Sequence, residues 1–172
     1  MSKKEARDQG IPDQSRRSAT CDEYKLFHKT LKEHGKNIIW KYGAPAQLNY
    51  QFHMIARLDD CMNVPLNNLK AHPDFDFCLM TKLAWSKNVR EERDAPCQIM
   101  IGSIDSVYCV LISLVIWLEI YFMECNYSND SPYLFALPLD CRFPQGSQSG
   151  KYVLRRIMSD AIFKSLGLTA KD

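Results

Sequence analysis

The sequence predicts an α+β fold, mainly helical, with a small antiparallel sheet. Three observations predict it. DEYKLFHKTLKEHG and APAQLNYQFHMIARL repeat apolar residues at helical spacing. FDFCLMTKLAW alternates and is rich in β-prone residues, and a charged stretch separates it from a second short apolar run, CQIMI. VYCVLISLVIWL (residues 107–118) is apolar throughout, as a helix enclosed by a fold must be.

Each element follows in order. MSKKEARDQGIPDQSRRSATCDE is polar and has no apolar stretch of the kind a signal peptide carries, so residues 1–20 are expected to be a disordered tail. The domain then runs over 21–172. Its first helix stops at Gly35, and the second starts near Pro45 with Leu48, Phe52, Ile55 and Leu58 along its apolar stripe. Helix propensity fades through DDCMNVPLNNLKAHP, where Pro65, paired Asn and Pro73 predict a turn and a short helix. FDFCLMTKLAW is the first strand, SKNVREERDAP its charged connection and CQIMI the returning strand. Ser103 or Asp105 is expected to cap a long helix that runs to about Cys125 and is buried on most sides. NYSNDSP reads as a loop, YLFAL as a short extended segment and DCRFPQGSQSG as a flexible connection. KYVLRRIMSDAIFKSLG closes the order as a helix with Val153, Ile157, Ala161 and Phe163 on its apolar side and Gly167 as its stop.

Composition narrows the function classes. At 172 residues and 46% hydrophobic, the chain suits one domain with a sizeable core. Its seven cysteines never form a Cys-x-x-Cys pair and no His cluster joins them, so neither zinc nor any other cofactor is expected. Their odd number and mid-pattern positions suit free thiols in a reducing intracellular compartment. The run at 107–118 is shorter than the roughly 20 residues that span a bilayer, and Asp105, Glu119 and Glu124 flank it. No membrane partner is therefore expected, a spanning segment there being the lesser alternative. The net charge is only +2, yet Lys and Arg are absent from residues 94–141 and gather on either side. Lys82, Lys87, Arg90 and Arg93 crowd one short stretch, and Arg155 and Arg156 lie in the last helix. Such segregation permits a basic face for a polyanion, DNA among them.

Most motifs are decoys. His53 and Arg57 are an ordinary helix-face pair, and no Gly-rich phosphate loop or activated Ser or Cys occurs. FHMIARLDDCMNVPL is more pointed, because one guanidinium, Arg57, ends an apolar run and meets Asp59 and Asp60. A guanidinium can clamp a phosphate through two donors while a carboxylate holds it from behind. A lysine on a hairpin can protonate a leaving oxygen beside that phosphate. The residues alone leave this reading open against a structural Arg–Asp pair and a solvated hairpin.

The order of these pieces resembles the catalytic domain of crypton-type eukaryotic tyrosine recombinases. An Arg-x-Asp-Asp element, a strand ending in Trp-Ser-Lys-Asn-Val, a Glu-Arg-x-x-Pro-x-Gln-Ile turn and a helix ended by Leu-Glu follow one another, and WSKNVREERDAPCQI is the most specific part. The resemblance spans roughly residues 22–167. It implies a partial tyrosine-recombinase-like catalytic domain of mobile-element origin that binds DNA for integration or recombination. Arg57 would contact the scissile phosphate, Asp60 would support it, and Lys87 would be the general acid, with Lys82 a weaker candidate. Lys82, Arg90, Arg93, Arg155 and Arg156 would contact DNA. The family implies a nuclear or cytoplasmic site of action, chemistry without metal or nucleotide, and room for a homo-oligomer on DNA. The departure matters equally. The family's Gly-Thr-His-Ser-x-Arg-Lys element and nucleophilic tyrosine find no match, no His-x-x-Arg occurs, and Tyr152 precedes where that element would stand. The expectation is a DNA-binding fragment that is inactive as written. A domesticated interaction module without a DNA role is the alternative.

Overall fold

The computed structural model describes residues 20–57, 60–61, 63–83, 96–124, 133–135, 157 and 160. Residues 1–19 of the expected tail (residues 1–20), the NYSNDSP and DCRFPQGSQSG segments and nearly all of the last helix lie outside them, whereas Thr20 is described. In chain order the described elements are helix α1 (Cys21–His34), a π-helical turn (Ile39–Gly43), α2 (Ala44–Met54), a 3-10 turn (Leu66–Asn68), strands β1 (Lys70–Ala71), β2 (Leu79–Lys82) and β3 (Cys97–Met100), and α3 (Val110–Glu124). The α+β class holds.

Local chemistry explains the helix ends. Thr20 and Glu23 form a reciprocal capping box at the start of α1: the Thr20 hydroxyl accepts from Glu23 N at 3.2 Å, and the Glu23 carboxylate accepts from Thr20 N at 2.8 Å. Gly35 ends it, as the sequence predicts, and a Cβ there would lie 2.4 Å from the Leu31 carbonyl. Pro45 sits in the first turn of α2. The π-helical turn ends at Gly43, where a Cβ would come within 2.9 Å of the Trp117 ring. That close approach lets α3 press flat against the start of α2.

The sheet has the order β1-β2-β3, antiparallel throughout. FDFCLMTKLAW and CQIMI do pair, through Leu79↔Met100 to Lys82↔Cys97. Strand β2 is shorter than the alternation suggests, because Phe75 and Phe77 belong to the exposed β1–β2 turn. There the His72 ring accepts from Asp74 N at 3.1 Å, and Cys78 N donates to Phe75 O at 3.2 Å. The two-residue strand β1 has no alternation to betray it.

The core lies between α2, α3 and one sheet face. Ala46, Tyr50 and Met54 of α2 meet Leu114, Trp117 and Tyr121 of α3, with Val64, Met100, Leu134 and Phe135 closing the cluster. Trp117 Nε1 donates to Leu134 O at 3.0 Å. Tyr133, in the segment expected to be extended, bridges to Pro65.

Three expectations need correction. The α2 stripe does not face inward: Phe52 and Ile55 are exposed, while Gln47, Asn49 and Tyr50 are buried. Asn49 explains the rotation, because its Nδ2 donates to Val107 O at 2.9 Å and Ser113 Oγ at 3.2 Å, and its Oδ1 accepts from Tyr24 OH at 2.6 Å. Neither Ser103 nor Asp105 caps α3. Asp105 Oδ1 accepts from Val107 N inside a preceding turn, and the first α3 bond runs from Ser113 N to Cys109 O. Finally, α3 is not buried on most sides, since Ile112, Val115, Ile116 and Met123 are exposed along it.

Candidate functional site

The site is built where α2 ends. Ala56 N donates to Gln51 O and Ile55 N to Phe52 O, the two bonds of a Schellman turn. The left-handed position of that turn, usually glycine, is Ile55 with φ 49°, and its side chain is 95% exposed. A β-branched residue is strained in this region, by roughly 1–2 kcal/mol. The turn throws the chain out of α2, so Arg57 emerges exposed just beyond the helix.

Asp60 is buried, and its Oδ2 accepts from the backbone N of Arg57 at 3.3 Å. Cys61 N donates to Arg57 O at 3.1 Å. Together these make Arg57 the N-cap of a new helical turn and Asp60 the acid that reaches back to it, one half of a capping box. The carboxylate therefore fixes the Arg57 backbone. Among the described residues no ion pair engages its guanidinium. Asp59 lies outside the described residues. Cys61 is fully buried, and burial, with Asp60 beside it, pushes its thiol up to about 12, so it is a packing residue without nucleophilic character.

Two contacts pin α2 to the sheet. Tyr50 OH and Thr81 Oγ1 of β2 share a buried hydrogen bond of 2.9 Å, and His53 Nε2 lies 3.4 Å from Ile99 O of β3. The helix that delivers Arg57 is thus held across the two strands that bracket the connection carrying Lys87, Arg90 and Arg93. Those three residues, with Tyr152, Arg155 and Arg156, lie outside the described residues. Lys82 is described. The register puts it on the face away from the core with Lys70, Met80, Cys97 and Ile99, because Thr81 and Met100 point inward. It is half-buried and has no ion-pair partner among the described residues.

No family model, curated protein or solved structure matches the chain. Among the described residues no group of three or more His, Cys, Asp or Glu could hold a metal, and no helix is long and apolar enough to cross a membrane.

The sequence reading overlooked an aromatic cluster beside α2. Tyr24 stacks on Tyr108 at 5.3 Å between ring centroids, and Phe52 touches both rings at 5.6 and 6.0 Å. Lys25 lies 5.4 Å from the Tyr108 ring and 2.8 Å from Asp105. The ion pair is exposed, which limits its contribution to stability. Phe52 and Tyr108 carried a signal only in hindsight, because nothing local links positions so far apart in the chain.

Proposed function

We propose that the chain is a DNA-binding fragment of a tyrosine recombinase of mobile-element origin, acting in DNA integration or recombination in the nucleus and catalytically silent by itself. The antiparallel pairing of β2 with β3 carries the reading. It makes residues 84–95 the connection of two paired strands, and this connection holds Lys87, Arg90 and Arg93 within WSKNVREERDAPCQI. Ahead of it, an exposed Arg57 stands on a backbone fixed by Asp60.

Each residue then has a role. Arg57 is a phosphate ligand, using a bidentate guanidinium. Lys87 is the remnant general acid, and Lys82, Arg90, Arg93, Arg155 and Arg156 are phosphate contacts that hold duplex DNA without reading its sequence. A second arginine and an attacking tyrosine are missing, so the pentacoordinate phosphate would lack both a donor and its nucleophile. Removing one such donor typically slows catalysis about 100- to 1000-fold, and removing the nucleophile closes the covalent route.

Fluorescence anisotropy with a labelled duplex tests the reading. Binding should be tolerant of sequence, and log affinity should fall linearly with log salt. Arg57→Ala should lower the affinity and reduce the salt slope by about one. A nicked suicide duplex should give no covalent adduct on a denaturing gel. Absence of binding at about 50 mM salt, where phosphate contacts are strongest, would remove the DNA role and favour the interaction module. An adduct lost in Tyr152→Phe would overturn the catalytic silence.

A further inference from the structure

We draw no further inference here: the strongest candidate, the exposed apolar face of α3 formed by Ile112, Val115, Ile116 and Met123, carries none, because nothing in the structure shows what covers it.

Discussion

Helices α2 and α3 pack on each other, yet they break the rule of apolar-inside in opposite directions. Helix α2 buries Gln47 and Asn49 and leaves Phe52 and Ile55 exposed. Helix α3 buries a clean apolar face and exposes a second one. In α2 a hydrogen-bonded asparagine fixes which side is inside, since an unmet amide in the core would cost more than an exposed phenylalanine returns. In α3 Ser113 meets Asn49 and the Trp117 indole donates to Leu134 O, while the fit of the Trp117 ring against Gly43 sets the rotation by shape. Rotation of a helix about its axis is thus decided by its most demanding side chain, and hydrophobic count is secondary.

The sharpest way to break this comparison is Trp117→Ala. It removes the ring that Gly43 makes room for and the bond to Leu134 O, and should destabilise the fold by about 3–5 kcal/mol in urea unfolding. A loss below about 1 kcal/mol would mean that shape does not set α3.

Acid should loosen the first helix next. His28 is buried against Tyr24, with ring centroids 4.5 Å apart, and Nε2 has no hydrogen-bond partner among the described residues. Burial, helped by the charge of Lys32, pushes the imidazole down to about 4 from 6.5. The folded state therefore prefers the neutral ring. Its contribution is complete above pH 6.5 and is lost as the pH falls towards 4, roughly 3 kcal/mol in all. His28→Leu should flatten the stability profile across that window. An unchanged slope would show that other groups govern acid sensitivity.

Asn49→Leu separates the two helices directly. It removes the partner of Tyr24 OH and of Val107 O, at a cost of about 1–3 kcal/mol. Val115→Ser, on the exposed face of α3, should move stability by no more than about 0.5 kcal/mol. If the leucine variant were the more stable of the two, hydrophobicity alone would be orienting α2. One effect has the opposite sign: Ile55→Gly should stabilise by about 1 kcal/mol, because glycine accepts φ 49° without strain. Any loss would show that the Ile55 side chain makes contacts worth more than the strain.

What could be read from the sequence depended on how local its cause was. Gly35 and Pro45 announced helix ends because capping acts within one turn. The β2–β3 pairing was readable because two short apolar runs flank a charged connection. The inward face of α2 was not, because Asn49 takes partners from α1 and from the segment leading into α3, and no window around residue 49 contains them. Arg57 stood out in the sequence as the one guanidinium ending an apolar run, whereas the bond between Asp60 and its backbone N is a matter of turn geometry that residue types do not encode. For α3, the unbroken apolar run pointed to a helix enclosed on most sides, and a run without alternation could not say which of its faces would be covered.

The contact between Lys36 and Asp160 has a kinetic consequence. Lys36 Nζ lies 2.6 Å from Asp160 Oδ2 and 5.5 Å from the Trp40 ring, and Asp160 N bonds back to the fully buried Ile157. The end of α1 is therefore completed by residues that the ribosome makes long after it. At about 5–20 residues per second the wait is on the order of ten seconds. Helices form in about a microsecond, so α1 can coil and uncoil millions of times before its last neighbour exists. Until Asp160 arrives, Lys36 beside the Trp40 ring waits without this ion-pair partner.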